Sequence, residues 1–276
     1  MNWMVESSLM PSSALVAEVE ALKLQVQPNL PNLNMETQRP GWFIVRVEGR
    51  LAGLLTIFDP SGEEAEVTAY VVSDFRHRGI FSALWAEARR QWVSPGRRWL
   101  LVCDRDDLDG RAVALRKGAW DFTEFTLSIQ ASQRPLFLGL PGNLTLVEGR
   151  SDDLAEAEAM YSRAFGSPRD RAFLERILLD PDRKLVFLKE SGRIVAGGCL
   201  LKKGSTTTIH ALAVEPERQG RGWGKAMLVA LLHLPAVKTW EYRIDVDSDN
   251  VRAEALYRGL GFKNLRITDY YEVGAT

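Results

Sequence analysis

The residues with the clearest chemical potential form a run from Gln219 to Lys225 that carries glycine at alternate positions. The β-branched stretch Thr206–Val214 precedes this run and a stretch with apolar residues at helical spacing follows it, so the pattern predicts a strand, a loop and a helix N-terminus. Glycine lets a ligand approach the main chain closely. The free N–H groups of a first helical turn, at the positive end of the helix dipole, attract anions. We therefore predict that this run binds a phosphate group.

The spacing within the run separates this prediction from two other kinds of phosphate loop. A nucleoside triphosphate loop needs Gly, four residues and then Gly-Lys-Ser/Thr, but Gln219 stands at the first position and Ala226 follows Lys225. A dinucleotide loop needs G-x-G-x-x-G, whereas the glycines here are spaced G-x-G-x-G. A glycine-rich turn without any ligand remains the alternative, because glycine occurs in turns of every kind.

A second group of residues lies downstream, between Asn250 and Phe262. Asn250 can cap a helix, and Gly261 can end it in a left-handed turn. The pattern N-x-x-A-x-x-L-Y-x-x-x-G-F, with Tyr257 as its tyrosine, and the earlier Q-x-x-G-x-G resemble the two acyl-CoA-binding signatures of the GNAT N-acetyltransferase superfamily. This resemblance implies that the phosphate belongs to acetyl-CoA, used as a substrate without a metal.

The resemblance also implies roles for single groups. Tyr257 would donate a proton to the thiolate of the departing CoA, because a hydroxyl within hydrogen-bond reach stabilises that leaving group. The main chain of residues 212–214 would bind the pantetheine arm like an added strand, where two parallel strands splay apart. The acetyl-CoA contacts implied in this way are Leu212, Ala213, Val214, Gln219, Gly220, Arg221, Gly222, Trp223, Gly224, Lys225, Asn250, Ala253 and Tyr257.

The acceptor amine must lose a proton before it attacks the thioester, and His210 is the first candidate for the base. The run from His210 to Val214 resembles a strand of the arylalkylamine acetyltransferases, in which a histidine relays that proton. Imidazole suits this task because its pKa lies near neutrality. Strand alternation predicts that His210, Leu212 and Val214 share one face. Glu215 and Glu241, acting through water, are weaker candidates.

The predicted elements occur twice in the same order: a hairpin, a further strand, a glycine-containing loop and a helix. Val72 matches Val214 at an offset of 142 residues, and Gly79 matches Gly222 at an offset of 143. A duplication of this length indicates two copies of one domain. We expect an N-terminal domain at 1–131, a linker at 132–142 and a C-terminal catalytic domain at 143–276. The resemblance implies that each is an α/β (α+β) GNAT domain with a mixed, mostly antiparallel sheet flanked by helices.

The first copy departs from both signatures. Arg76 and Gly79 keep R-x-x-G, but Phe81 stands where the last small residue should be, and Arg116 is aligned with the tyrosine. Without that hydroxyl the proton donor is missing, so our hypothesis is that the first domain is non-catalytic. It remains a possible second CoA site through Val72, Arg76, Arg78, Gly79 and Ile80.

The composition limits the classes of binding partner and the cellular compartment that we expect for this protein. The formal net charge of −1 gives no indication of a nucleic-acid partner. No apolar run approaches the length of a membrane span, and the N-terminus does not resemble a secretory signal. Cys103 and Cys199 lie in apolar runs, as expected of buried thiols in a reducing compartment. We therefore expect a cytoplasmic protein.

The acceptor is predicted to be a small-molecule amine or the amine of a peptide. It would contact the helical region Asp152–Leu179 and the closing strands around Tyr270 and Tyr271. The chain would act as a monomer or homodimer. Two other functions stay open at this point: a non-catalytic module that binds or senses acyl-CoA or a partner, and a transferase of a longer acyl group.

Overall fold

The structure is a computed structural model that describes residues 4–8, 11–26, 41–59, 64–92, 96–166, 171–234 and 238–274. Residues 167–170 of the predicted helical region lie outside the described residues. In chain order the helices and strands are β1 (Val5–Ser8), α1 (Ser13–Val26), β2 (Gly41–Val47), β3 (Arg50–Phe58), β4 (Glu64–Val71), α2 (Ile80–Gln91), β5 (Arg98–Asp104), α3 (Leu108–Lys117), β6 (Ala119–Gln130), β7 (Leu144–Glu148), α4 (Leu154–Phe165), α5 (Arg171–Leu179), β8 (Arg183–Glu190), β9 (Arg193–Lys203), β10 (Thr206–Val214), α6 (Trp223–Leu232), β11 (Glu241–Asp247), α7 (Val251–Gly259) and β12 (Lys263–Val273). No described helix is both long enough and apolar enough to cross a membrane.

The chain divides into two compact units whose limits differ from the expected domains. The first comprises residues 1–124 and 266–276, and the second comprises residues 125–265. The last eleven residues join the first unit because Thr268–Val273 pair antiparallel with β5. The sequence assigned the whole C-terminus to the second domain, since residue patterns reveal that a strand forms but not which strand it pairs with.

The first unit orders its strands β1-β2-β3-β4-β5-β12. β1 to β4 are antiparallel neighbours, and β4 runs parallel to β5. Apolar residues cover both faces of this sheet. Leu15 and Val19 of α1 pack on one face, and Leu84 of α2 and Ala114 of α3 pack on the other.

The second unit repeats this arrangement in the order β6-β11-β10-β9-β8-β7. β7 to β10 are antiparallel neighbours, and β10 runs parallel to β11. Helices α6 and α7 contribute to the core on one face, and α4 and α5 to the core on the other. The predicted class, a mixed and mostly antiparallel sheet flanked by helices in each of two copies, is confirmed.

The two copies match at an offset of 143 residues around the loops before α2 and α6, residues 72–79 and 215–222, which we call the phosphate loops because the sequence predicts phosphate binding there. Gly79 and Gly222, just before α2 and α6, have φ of 78° and 82° and ψ of 5° and 4°. The residues that follow β4 and β10 also match, because Val72 N–H donates to Ala52 O and Glu215 N–H donates to Val195 O. Val72 therefore corresponds to Glu215, and the predicted match of Val72 with Val214 is wrong by one residue.

Candidate active site

The parallel strands β10 and β11 separate partway along their length. They pair only where Thr206–Ile209 lie beside Glu241–Ile244. The ladder between the two strands ends at Ile209 and Ile244. The predicted splay is thus present, and an amide-rich ligand can add to it like a further strand.

A β-bulge interrupts β10 just after the strands separate. His210 lies opposite Cys199 of β9, but Ala213 lies opposite Gly197, so β10 has one residue more than its partner there. Ala211 within the bulge has a φ of 50°. A bulge leaves a residue outside the ladder, so one residue between His210 and Ala213 is not paired with β9.

The extra residue changes which face each side chain occupies. Leu212 and Val214 pack with the core beneath α6 and α7. Cys199, directly opposite His210, belongs to the core beneath α4 and α5. Residues that face each other across an antiparallel pair share a face, so His210 lies on the α4–α5 side. The predicted shared face of His210 with Leu212 and Val214 is wrong, because the bulge inverts the alternation between them.

The phosphate loop joins β10 to α6 with its main chain exposed. Gly220 and Gly222 have φ of 76° and 82°, in the left-handed region that favours glycine. A Cβ added to either glycine would meet no atom within 4 Å. Ala226 N–H donates to Gly222 O at 3.0 Å, which leaves the earlier N–H groups of the first helical turn unpaired. The loop therefore presents backbone donors to open space.

Side chains of the loop hold it against the core. Gln219 Nε2 donates to Val214 O at 3.2 Å and closes the loop. Trp223 is buried, and the guanidinium groups of Arg218 and Arg221 lie 5.6 and 5.8 Å from its ring centroid. These contacts keep two cations close to the N-terminus of α6. A Cβ added to Gly224 would lie 3.5 Å from Leu256 and 3.6 Å from Val214, at ordinary contact distances. Lys225 is exposed.

Tyr257 lies in the core beneath α6 and α7, on the helix that Asn250 caps by accepting from Ala253 N–H at 3.2 Å. The tyrosine is 5% exposed, and burial raises its pKa to about 12. Its hydroxyl has no hydrogen-bond partner among the described residues. The hydroxyl oxygen is accessible to solvent. This hydroxyl stays protonated at neutral pH and has its donor available.

The two weaker base candidates are held in ion pairs. Arg163 of α4 donates to both carboxylate oxygens of Glu215, at 2.8 and 2.7 Å. These bonds hold the pKa of Glu215 below its usual value, which makes it a poor proton acceptor. Glu241 lies at the paired end of β10 and β11, and its carboxylate is 2.6 Å from Arg243. His210, half-buried on the α4–α5 face, stays the leading candidate.

The remaining predicted groups are largely buried. Tyr270 and Tyr271 are 7% and 1% exposed within the first unit, and their contact with the acceptor stays a prediction. Cys199 is buried, and burial raises the pKa of its thiol. Burial likewise raises the pKa of Cys103 to about 12. Neither thiol is poised to act as a nucleophile.

The first unit contains a cleft at the equivalent place. β4 and β5 pair only where Glu64–Val67 lie beside Arg98–Leu101, and a cavity of about 440 Å³ extends from that point to the loop before α2. Arg76 Nε donates to Val71 O at 3.1 Å, just as Gln219 does in the second unit. Phe81 lines the cavity without filling it.

Two features of the second cleft are missing from the first. β3 and β4 keep one register from Gly53–Val71 to Phe58–Glu66, so β4 has no bulge there. Asp107 caps α3 as Asn250 caps α7, and counting from these caps places Ala114 where the second unit has Tyr257. Ala114 is fully buried, whereas Arg116 is exposed. The predicted alignment of Arg116 with the tyrosine is therefore wrong, although the hydroxyl is absent in either case.

The sequence of this chain is similar to a known family and to several characterised proteins. The family model described as "Acetyltransferase (GNAT) family" matches residues 152–262. A mycothiol acetyltransferase of Clavibacter michiganensis subsp. michiganensis is 30% identical over 230 residues, which cover 76% of this chain and 72% of that protein. The N-alpha-acetyltransferase RimI of Mycobacterium tuberculosis is 31% identical over 111 residues, covering 38% of this chain and 69% of that one.

Solved structures show the same fold over the whole chain. A tandem GNAT protein from the clavulanic acid biosynthesis pathway has a TM-score of 0.77 at 16% identity and covers 100% of both chains. A GCN5-related N-acetyltransferase from Sphaerobacter thermophilus has a TM-score of 0.70 at 17% identity, covering 98% of this chain and 95% of the other.

Proposed function

The chain belongs to the GNAT acetyltransferase family and is an acyltransferase of the N-acetyltransferase class, and we propose that its second unit transfers an acetyl group from acetyl-CoA to a primary amine. The amine attacks the thioester directly while both substrates are bound. The observation that carries this assignment is a contrast between the copies. Both have splayed strands and a phosphate loop, but the bulge in β10 and Tyr257 occur in the second unit and have no counterpart in β4 and α3.

Acetyl-CoA binds along the splay. Its diphosphate accepts from the unpaired N–H groups at the start of α6, where the helix dipole and Arg221 favour negative charge. The pantetheine amides pair with the main chain of residues 212–214, which β11 leaves unpaired. The thioester carbonyl then lies beside the bulge, where a backbone N–H of the bulge stabilises the negative charge of the tetrahedral intermediate.

Two side chains on opposite faces of the sheet accept and donate the protons of the reaction. His210, facing α4 and α5, accepts the proton that the amine loses. Tyr257, facing α6 and α7, donates a proton to the CoA thiolate as it leaves. Its pKa of about 12 keeps the hydroxyl protonated, so it is present as a hydrogen-bond donor while negative charge develops on the sulfur. The separation of the two groups by the sheet keeps the acid and the base from neutralising each other.

The acceptor approaches from the α4–α5 side, where His210 lies, and is a small-molecule amine. Several relatives carry the name mycothiol acetyltransferase, so the unacetylated form of mycothiol is one acceptor to test. The first unit is non-catalytic and holds a second acetyl-CoA in its cleft, because its cavity reaches a phosphate loop of the same geometry but meets Ala114 instead of a tyrosine.

A thiol-release assay tests this function. The full chain is mixed with acetyl-CoA, or with acyl-CoA of longer chain, and a panel of amines that includes amino acids, aminoglycosides, peptide N-termini and unacetylated mycothiol. We expect acetyl-CoA to be the preferred donor and one amine class to release CoA. Bound acetyl-CoA without turnover of any amine would instead support a CoA-binding module.

Tyr257→Phe tests the role of the hydroxyl. It should lower kcat by about one order of magnitude or more while the Kd for acetyl-CoA stays unchanged, as expected when a general acid is lost. Tyr242→Phe is the matched control, because that buried tyrosine of the same unit donates to Leu232 O at 2.8 Å. Equal kcat in the Tyr257 variant and the wild type would remove the proposed role.

A further inference from the structure

The cavity of the first unit is crossed by an ion pair at the end where a diphosphate would bind. Arg76 Nη1 lies 2.6 Å from Asp109 Oδ2, and both residues line the cavity. Because Arg76 Nε also donates to Val71 O, one edge of the guanidinium holds the loop and another edge holds the first turn of α3. The pair thus links the loop before α2 to the first turn of α3, two parts of the cavity lining.

The start of α3 differs in charge from the start of α7. Counting at the offset of 143 residues, Asp109 corresponds to Arg252 and Asp107 to Asn250. The difference is local, because three cations that line the first cleft, Arg76, Arg116 and Lys117, correspond to the uncharged Gln219, Gly259 and Leu260. A diphosphate close to the first turn of α3 is therefore repelled by carboxylates that the second unit does not have at the matched positions.

We propose that Asp109 acts as a reversible electrostatic block on the first cleft, so that this cleft binds acetyl-CoA only at concentrations well above those that fill the second. A diphosphate must displace the carboxylate from Arg76 and is repelled by it as long as it remains nearby. Both partners are substantially exposed, at 35% and 70% for Arg76 and Asp109, and such pairs open at little cost. This inference rests on the proposed CoA site of the first unit and adds what controls its occupancy.

Substitution of Asp109 in the full-length chain tests the block. Equilibrium dialysis with radiolabelled acetyl-CoA counts the bound equivalents for the wild type, for Asp109→Asn and for Asp109→Arg, which copies Arg252. We expect one tight and one weak equivalent in the wild type. The affinity of the weak site should rise about fivefold for each unit by which the charge at position 109 becomes more positive, so about fivefold for the Asn variant (one unit) and about 25-fold for the Arg variant (two units). The gain should shrink as salt is added.

Asp106→Asn is the matched control. It removes the same charge three residues earlier, from an exposed side chain that is not part of the cavity lining, and should leave the weak site unchanged. An equal effect of both Asn variants, or no change in the weak site with either Asp109 variant, would overturn the block.

Turnover measured on the same preparations separates this inference from the proposed function. Normal thiol release with no second equivalent in any variant would overturn the block and leave the catalytic assignment of the second unit standing. Failure to bind any acetyl-CoA, with no turnover, would overturn both.

Discussion

Burial decides which single residues hold their protons in this molecule. Tyr257 and Glu66 both have raised pKa values because water is excluded around them, to about 12 and about 7. For Tyr257 the consequence is a hydroxyl that stays protonated, and so remains a hydrogen-bond donor, at neutral pH. For Glu66, half-buried on β4 with Glu64 nearby, the consequence is a carboxylate whose ionisation opposes folding.

Glu66→Gln tests that opposition. The pKa of Glu66 is raised in the folded state, so ionisation of this carboxyl lowers the free energy of unfolding. The protein keeps its full free energy of unfolding below about pH 4.5 and loses part of it as the pH rises through about 7. The variant should unfold with a free energy about 1–3 kcal/mol higher than the wild type at pH 8 and with an equal free energy at pH 4. Urea denaturation at the two pH values measures this.

Glu175→Gln is the comparison variant for that measurement. Glu175 lies on α5 of the second unit, is half exposed and pairs with Arg171 at 3.1 Å, so its substitution should give no gain at pH 8. A Glu66 variant whose advantage over the wild type is the same at pH 4 and pH 8 would show that the carboxylate does not titrate as described.

At the scale of elements, the bulge in β10 distinguishes two strands that are otherwise alike. It places one residue in the left-handed region and sends His210 to the face of α4 and α5. In a regular strand such as β4, successive backbone N–H and C=O groups point alternately toward the two neighbouring strands. The bulge is therefore the local change that we expect catalysis to depend on.

Deletion of Ala211 should convert β10 into a regular strand like β4. We expect the fold to persist, because β9 and β10 can pair continuously, and kcat to fall about 100-fold as the N–H of the bulge is lost. Ala211→Gly is the matched variant: it keeps the bulge, relieves the left-handed strain and should raise the melting temperature with little change in kcat. Steady-state kinetics and thermal unfolding measure both. Full activity after the deletion would show that catalysis does not require the bulge.

At the scale of the whole molecule, the end of the chain completes the sheet of the first unit. Asp269 of β12 is 1% exposed and accepts hydrogen bonds from Arg105 and Thr123. Burial opposes its ionisation, but these bonds outweigh it and hold its pKa below the usual value. Glu272 of the same strand pairs with Arg98 at 3.1 Å. The sheet of the first unit thus includes Thr268–Val273, which follow the second unit in the sequence.

Truncation after Leu265 should therefore damage the first unit. It removes Arg266–Thr276 and turns β5 into an edge strand, so hydrogen exchange of the β5 amides, Arg98–Asp104, should lose protection by orders of magnitude. Truncation after Val273 is the control, because it keeps every residue that pairs with β5. Equal protection of β5 in the two truncated chains would show that β12 is dispensable there.

The sequence by itself determined the features that depend on a few neighbouring residues: the phosphate loop, the cap at Asn250, the left-handed turn at Gly261 and the duplication. Each is set by hydrogen bonds and backbone angles that span only a few residues, and a fixed spacing reveals them. Only the tertiary structure decided the bulge at Ala211, the face of His210, the alignment of Ala114 with Tyr257 and the pairing of β12 with β5. These depend on how strands far apart in the chain align, and one inserted residue or one change of partner alters them without changing any local pattern.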